Sequence, residues 1–190
     1  MNAKTQRIIV TIAVMVVIAV MQNYVTPKTV TESPSASASA VKAPTAVVKE
    51  GYYRVTHVVD GDTIEVDLNG AKQKVRLIGI NTPETVDPRK KVECFGKEAS
   101  AHAKETLTDA NVKLEADPTQ DDTDKYGRIL RYVILEDGTN FNLQQIADGF
   151  AYEYTYSKKY RYQKEFRAAQ ANAKAGEKGL WSPTTCNGIK

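Results

Sequence analysis

The amino-acid sequence predicts an α+β domain that is mainly a β-barrel, with five short strands and three packed helices. Two patterns predict this class: β-branched alternation recurs in five short segments, and three other segments carry apolar residues at helical spacing. The length and composition agree, because 190 residues with 42% hydrophobic side chains suffice for one domain of ordinary size plus additional segments.

The segments predicted as strands are 52–59, 63–68, 75–80, 112–116 and 129–135. Asp60-Gly61 joins the first two, and Asn69-Gly70 is a tight hairpin turn between the second and the third. The first three strands therefore form a meander. The polar stretch 117–125 is predicted as a loop between the last two.

The segments predicted as helices are 96–110, 141–147 and 160–174. The apolar stripes of the first and third consist of Phe95, Ala99, Ala103 and Leu107, and of Tyr162, Phe166, Ala169 and Ala173. The short middle helix should direct Leu143, Ile146 and Ala147 inward, with Asn140 or Asn142 as its N-cap and Gly149 at its end. Five strands with a helix between the third and fourth is the order of an oligonucleotide-binding (OB) barrel.

The N-terminal segment 1–25 is predicted to be a signal peptide or a signal-anchor helix. Lys4 and Arg7 precede 14 residues, 8–21, of which only Thr11 is polar. Since no small-x-small cleavage site follows closely, an uncleaved anchor is favoured over a cleaved signal. The anchor would associate the protein with the membrane. The chain is therefore expected to be exported, either held at the extracellular face of the cell membrane or secreted.

A disordered linker is predicted for 26–50, and the folded domain for 51–190. The linker is rich in Pro, Ser and Ala and has no aromatic residue, so it cannot bury enough apolar area to offset its ordering entropy. The net charge of +3 arises within 1–50, because 51–190 contain 21 basic and 21 acidic side chains. This balance excludes a globally basic surface, so any attraction to a polyanion must be local.

The two cysteines, Cys94 and Cys186, are predicted to form a disulfide. Their spacing fits no metal motif, and an oxidising compartment allows thiols to pair. The alternative is that they are two unrelated small hydrophobic residues.

Oxygen-bearing side chains cluster around two predicted strand ends. Asp60-Gly61-Asp62 alone could be an ordinary hairpin turn. Together with Asn81, the Thr82 carbonyl and Glu84, however, Asp62 forms a set of hard oxygen donors that suits Ca²⁺. No Cys or His is placed for zinc.

Two arginines and one carboxylate complete the set of residues for phosphodiester cleavage. Arg76 lies in an otherwise apolar strand, where an unpaired guanidinium would be costly, so it should contact an anion or a carboxylate. Arg128 follows Gly127, which permits a tight turn into a cleft. Two guanidinium groups can hold a phosphate and stabilise a five-coordinate transition state, and Glu84 is the candidate base for a water. The alternative role of Arg76 is a structural ion pair.

Aromatic and basic side chains could contact a nucleic acid. The candidates for stacking are Tyr126, Tyr154 and Tyr156, and the local basic patches are Lys90-Lys91 and 158–161. The alternatives are an ordinary strand surface for the tyrosines and solvated loops for the basic patches.

Residues 51 to about 186 resemble the staphylococcal nuclease family in several ordered blocks. The matching blocks are Asp60-Gly61-Asp62-Thr63, Arg76-Leu77-Ile78-Gly79-Ile80-Asn81-Thr82-Pro83-Glu84, Gly96-Lys97-Glu98-Ala99, Asp124-Lys125-Tyr126-Gly127-Arg128, Asp148-Gly149-Phe150-Ala151 and Leu180-Trp181-Ser182. The resemblance implies a five-stranded OB barrel with three helices. It also implies Ca²⁺-dependent hydrolysis of DNA and RNA that leaves 3′-phosphate ends.

By position, the resemblance also implies roles for individual residues. The catalytic set would be Arg76, Glu84 and Arg128, and the metal ligands would be Asp62, Asn81 and the Thr82 carbonyl. The substrate contacts would be Tyr126, Lys125, Tyr154, Tyr156, Lys90 and Lys91. Many relatives have aspartate where this chain has Asn81, so calcium affinity is expected to be weak. No obligate protein partner is implied, and a monomer is expected.

Two other function classes are compatible with an OB barrel. A catalytically inactive barrel could bind nucleic acid or protein at the cell surface, and loss of either arginine or of Glu84 would be its signature. All three residues are present. A cell-surface adhesion module would be supported only by the predicted tether.

Overall fold

The computed structural model describes residues 50–85, 87–88 and 91–189. The elements along this part of the chain are β1 (Tyr53–Asp60), β2 (Thr63–Leu68), β3 (Ala71–Leu77), β4 (Ile80–Asn81), α1 (Gly96–Leu107), β5 (Asn111–Glu115), β6 (Ile129–Ile134), α2 (Phe141–Ala147), β7 (Tyr152–Glu153), α3 (Gln163–Ala175) and a 3-10 turn at Gly179–Trp181.

The predicted anchor and nearly all of the predicted linker lie outside the described residues, and so does Lys90. Both segments, and the domain boundary at residue 51, therefore stay predictions. Across the part of the chain that is described, no helix has the length and apolar character needed to cross a membrane.

The barrel is closed and contains five strands in the order β1-β2-β3-β6-β5, which confirms the predicted α+β fold class. Strands β3 and β6 pair in parallel, with Val75 opposite Ile129, whereas the other barrel pairs are antiparallel. Pairing of β1 with β5, where Tyr53 lies opposite Val112, closes the barrel. Outside it, β4 and β7 form a small antiparallel sheet.

The barrel interior is the hydrophobic core, and it is filled from both the strands and the helices. Val55, Val66 and Val75 are completely buried in the first three strands, and Phe166 of α3 is equally buried against them. Burial of each such side chain contributes about 1.5–3 kcal/mol relative to exposure.

The third strand differs from its prediction at both ends. It begins at Ala71 rather than 75, because Asn69 and Gly70 both adopt positive φ (56° and 89°) and form a two-residue hairpin that places Leu68 opposite Ala71. It ends at Leu77 rather than 80, since the chain turns at Gly79 (φ 79°) before β4. A Cβ on Gly79 would lie 2.7 Å from the Tyr160 ring, so glycine is required for this close approach.

The three helices occur in the predicted order. The bounds of α1 and α3 differ from the prediction, and so does the buried face of α2. Helix α1 ends at Leu107, before the left-handed Asp109, and α3 begins at Gln163. Helix α2 has the predicted bounds, and Asn140 is its N-cap because its side chain accepts the Leu143 N–H at 3.2 Å.

The predicted inward face of α2 was partly wrong. Its buried residues are Phe141, Asn142, Gln145 and Ile146, whereas Leu143 and Ala147 are only partly buried. The two amides can be buried because each donates to a main-chain carbonyl, Asn142 to Ile78 and Gln145 to Gly61.

Candidate active site

A cavity of about 640 Å³ lies where β1, β3 and β4 end, beside the loop between β5 and β6. The predicted site residues that line it are Asp62, Arg76, Asn81, Thr82, Glu84, Lys125, Tyr126, Arg128, Tyr154 and Tyr156. Residues far apart in the sequence are thus brought to one cavity. Lys91 is exposed and is not among the lining residues, so the predicted contact at this position is not part of the cavity wall.

The turn between β1 and β2 brings two carboxylates to the cavity. Asp62 is buried, and its Oδ1 and Oδ2 accept from the Thr63 hydroxyl at 2.9 Å and the Thr82 N–H at 3.1 Å. Asp60 Oδ1 accepts the Asp62 N–H at 3.1 Å. Burial and the neighbouring charge of Asp62 raise the pKa of Asp60 to about 7. Only Asp62 was predicted as a site residue, although the run Asp60-Gly61-Asp62 was the available signal for both.

Arg76 projects from β3 into a shell of oxygen atoms. Its Nη1 donates to the Leu77 carbonyl at 2.7 Å, and its Nη2 donates to the Ile80 carbonyl at 2.9 Å. The same Nη2 lies 3.1 Å from Asp62 Oδ2. The expectation that this arginine contacts a carboxylate is therefore confirmed, and its guanidinium is fixed at the cavity wall.

Asp124 fixes the orientation of Arg128. Its Oδ2 accepts from Arg128 Nε at 2.7 Å, and its Oδ1 accepts the N–H groups of Tyr126 and Arg128 at 2.9 and 3.0 Å. Burial alone would raise the pKa of Asp124, but these hydrogen bonds and the arginine charge outweigh it and lower that pKa. Arg128 Nη1 also donates to the Thr63 hydroxyl at 3.3 Å. This role of Asp124 was not predicted, and the only signal for it in the sequence was its position four residues before an arginine in a glycine-containing turn.

Glu84 lies at the border of the cavity, in the segment that follows β4. Its Oε1 accepts the N–H groups of Thr85 at 2.9 Å and Asp87 at 3.1 Å. These two bonds fix the orientation of the carboxylate relative to its own main chain.

The tyrosines form an exposed aromatic border. Tyr126 and Tyr156 are each 72% exposed, and Tyr154 is 43% exposed. The Tyr154 and Tyr156 rings lie 6.3 Å apart, and Lys125 Nζ lies 5.1 Å from the centre of the Tyr126 ring. Exposed rings beside cationic groups can stack on a planar base.

Gln145 connects α2 to the Asp60-Gly61-Asp62 turn. Its Nε2 donates to the Gly61 carbonyl at 3.0 Å, and its Oε1 lies 3.0 Å from His102 Nδ1. Gly61 is also in contact with Thr82, since a Cβ at this position would lie 2.6 Å from Thr82 Cγ2. This completely buried glutamine was not predicted, because helical periodicity does not show what a buried amide contacts.

The donor atoms of the cavity suit a hard cation. Asp60 and Asp62 bring two carboxyls close enough that their charges oppose each other, and a cation would relieve that repulsion. The nearby Asn81 side chain and Thr82 carbonyl add oxygen donors of the kind calcium accepts. Nowhere in the described residues are three or more His, Cys, Asp or Glu side chains grouped to hold a metal ion. The oxygen donors at the cavity are therefore of the chemical kind that a hard cation accepts, with two carboxyls among them.

Comparison with known proteins gives concordant matches. Residues 74–183 match the family model described as "Staphylococcal nuclease homologue". The chain is 43% identical over 133 residues to a thermonuclease of Staphylococcus hyicus, with 70% of this chain and 77% of that protein covered. It is 41% identical over 129 residues to a thermonuclease of Staphylococcus intermedius, with coverage of 68% and 75%. It is 38% identical over 125 residues to the endonuclease YncB of Bacillus subtilis, with coverage of 65% and 58%.

Proposed function

This chain belongs to the staphylococcal nuclease family, and we propose that it is a calcium-dependent endonuclease that hydrolyses DNA and RNA to products with 3′-phosphate ends. Relatives named thermonuclease and endonuclease support a nuclease function. The observation that carries the proposal is that Arg76, Glu84 and Arg128 line one cavity together with Asp62 and Asn81.

Arg76 and Arg128 bind the phosphate to be cleaved. Each is held by a carboxylate, Asp62 for Arg76 and Asp124 for Arg128, so neither guanidinium needs to reorganise as charge develops. Such preorganised donors stabilise the additional negative charge of a five-coordinate phosphorus more than they stabilise the ground state.

Glu84 aligns or deprotonates the attacking water. Its two internal hydrogen bonds to Oε1 restrict the carboxylate to one orientation at the cavity border. The water forms a new P–O bond in line with the breaking bond to the 5′-oxygen. The proton lost by the water passes to Glu84 or to solvent, the 5′-oxygen leaves as a hydroxyl after taking a proton from solvent, and the phosphate stays on the 3′-oxygen.

Asp62, Asn81 and the Thr82 carbonyl would hold the calcium ion, and Asp60 lies beside them. When bound, calcium supplies positive charge next to a non-bridging phosphate oxygen. With an amide in place of a carboxylate at residue 81, we propose a weak site, in the range of extracellular calcium modules with a Kd of roughly 10⁻⁴ to 10⁻³ M.

The exposed tyrosines and nearby lysines bind the rest of the nucleic acid. Tyr126, Tyr154 and Tyr156 provide rings for stacking, and Lys125 provides charge for the backbone. Lys90 and Lys91 are proposed as more distant backbone contacts.

We also propose that the protein acts as a monomer and that it acts outside the cytoplasm. It would be secreted, or held at the extracellular face of the cell membrane by segment 1–25. The support is the apolar N-terminal run of the sequence and the disulfide between Cys94 and Cys186, which suits an oxidising compartment.

Digestion of single-stranded DNA and RNA by the purified full-length chain tests the proposal. Both substrates should be cleaved internally with Ca²⁺ and left intact with excess chelator, and the new 3′ ends should be substrates for a 3′-phosphatase. The double variant Arg76→Ala/Arg128→Ala is the control for contaminating nuclease. Binding of nucleic acid without cleavage would instead identify a non-catalytic OB module.

A further inference from the structure

The chain between β4 and α1 returns to Glu84 and bonds to it twice. The Glu84 N–H donates to Glu93 Oε2 at 2.9 Å, and the Glu93 N–H donates to the Glu84 carbonyl at 2.9 Å. Both main-chain polar groups of Glu84 are therefore held by one residue nine positions later. Because the Glu93 acceptor is a carboxylate, the first bond is of the stronger, charge-assisted kind.

The start of α1 confines the same peptide from another side. Gly96, the first residue of α1, lies so near that an added Cβ would be 2.7 Å from Thr85 Cγ2 and 3.1 Å from the Glu84 carbonyl oxygen. Phe95, just before it, adopts a left-handed conformation with φ 64°. This turn directs the chain from Glu93 into the helix.

A disulfide fixes the residue next to Glu93. Cys94 is exposed and bonds to Cys186, which is buried. The segment before Cys186 is itself anchored, because Leu180 is completely buried and donates its N–H to the Gly149 carbonyl at 2.9 Å. An exposed loop residue is therefore tied to a fixed part of the domain.

The Glu93 carboxylate is near enough to Tyr152 of β7 to act on its hydroxyl electrostatically. Burial and the negative charge of Glu93 raise the pKa of the Tyr152 hydroxyl. The Tyr152 ring packs edge-on against Trp181, with ring centres 5.2 Å apart, and Trp181 belongs to the same C-terminal segment as Cys186. Side-chain packing thus joins Tyr152 to the C-terminal segment, and the disulfide joins Cys94, the residue after Glu93, to the same segment.

We propose that Glu93 is a positioning residue for Glu84 and that the Cys94–Cys186 disulfide holds Glu93 in place. The inference rests on the proposed function, in which the Glu84 carboxylate acts on the attacking water. Because the Glu84 carboxylate bonds to the N–H groups of Thr85 and Asp87, a displacement of this main chain displaces the carboxylate. A misplacement of about 1 Å at a reacting group can cost about 10²-fold in rate.

Kinetics of three glutamate variants test the positioning role. Glu93→Ala should lower kcat by about tenfold to a hundredfold while leaving KM for DNA within about threefold, since substrate contacts are untouched. Glu93→Gln should retain most of kcat, because its amide oxygen still accepts the Glu84 N–H. The matched control is Glu98→Ala, an exposed residue in the first turn of α1. A kcat for Glu93→Ala within twofold of the control overturns the proposal.

Hydrogen exchange provides a readout that does not depend on activity. In Glu93→Ala, the N–H groups of Glu84, Thr85 and Asp87 should exchange at least tenfold faster than in Glu98→Ala, and Glu93→Gln should restore protection. Unchanged exchange at these three groups overturns the proposal even if kcat falls. If the wild-type chain does not cleave nucleic acid with Ca²⁺ but the exchange pattern appears, the proposed function fails and the positioning of Glu84 stands.

The disulfide is tested with the double variant Cys94→Ser/Cys186→Ser. We expect faster exchange at the Glu84 N–H and a kcat lowered at least threefold at a temperature where the variant is fully folded by circular dichroism. Wild-type exchange and kcat in this variant would show that the disulfide does not hold Glu93, and would overturn that half of the proposal.

Discussion

The Arg128 guanidinium is held in one orientation by the Asp124 carboxylate, so it can bind a phosphate without rearranging. Arg128→Ala should lower kcat by about 10²–10³-fold, the typical cost of removing one preorganised donor. The matched control is Arg131→Ala. Arg131 forms an ion pair with Asp122 at 2.7 Å and is not among the cavity-lining residues. Cleavage assays at saturating Ca²⁺ distinguish the two, and equal activities would contradict the role proposed for Arg128.

Asn81 determines how much negative charge the proposed calcium site carries. Asn81→Asp adds a full charge next to a dication, worth about 1 kcal/mol or more even when strongly screened, so the half-saturating Ca²⁺ concentration should fall about fivefold or more. Arg76 Nη2 lies 3.5 Å from Asn81 Oδ1 and would compensate part of that charge. Asn69→Asp adds the same charge at an exposed hairpin and is the control. An unchanged or higher half-saturating concentration would mean that Asn81 is not a ligand.

The sequence predicts a site residue where its own segment demands a partner, and fails where the partner is distant in the sequence. Arg76 could be predicted because a guanidinium in an apolar strand requires a partner, and the structure supplies Asp62. Gln145 could not be predicted, because its function depends on a contact with Gly61, 84 positions earlier, that no local pattern encodes. Asp124 is intermediate, since its turn is visible in the sequence but the geometry of its bonds to Arg128 is not.

The loop between β5 and β6 leads to Arg128, and Asp117 fixes the start of this loop by hydrogen bonds. It is buried, and its Oδ2 accepts from the Tyr132 hydroxyl at 2.6 Å and the Arg161 N–H at 2.7 Å. Its Oδ1 accepts from the N–H and hydroxyl of Thr119 at 2.9 and 2.7 Å. Four donors thus hold the start of the loop against β6 and the segment before α3.

Asp117→Asn should lower the free energy of unfolding at pH 7 by roughly 3 kcal/mol, since hydrogen bonds to a charged group contribute about 1.5–3 kcal/mol each and an NH₂ group cannot accept. Burial alone would raise the pKa of Asp117, but its hydrogen bonds outweigh burial and lower that pKa below its ordinary value of 3.8. The stabilisation is therefore present above that value and is lost as the pH falls through the lowered native pKa. Urea denaturation should show the difference between variant and wild type narrowing below about pH 4. A difference that is constant with pH would contradict this.

The bounds of some strands could be predicted from the sequence and the bounds of others could not. Alternation located β2 within its true bounds, because both of its ends are marked by turn residues. The end of β3 was misplaced because Ile78 and Ile80 continue the apolar pattern across the turn at Gly79. That turn exists to accommodate Tyr160, a contact 81 positions away that the local sequence does not contain.

The disulfide is the covalent constraint on the whole described domain. It joins residues 92 positions apart, so the chain-entropy model gives a stabilisation of up to about 4.6 kcal/mol. Reductant should lower the free energy of unfolding in urea by a measurable part of that amount. It should have no effect on Cys94→Ser/Cys186→Ser. Equal stability of the oxidised and reduced wild-type chains would show that native strain offsets the entropic gain.

The parallel pairing of β3 with β6 determines when in the synthesis of the chain an active site can exist. Strand β6 lies between β3 and β5 in the barrel, and its first residue follows Arg128 directly. A nascent chain that has not yet reached Ile134 lacks the complete strand that follows Arg128 and pairs with β3, where Leu130 lies opposite Arg76, so Arg128 has no fixed position relative to Arg76. Under the proposed function, a growing polypeptide therefore cannot cleave the nucleic acids of the cell that makes it before β6 has been released to fold.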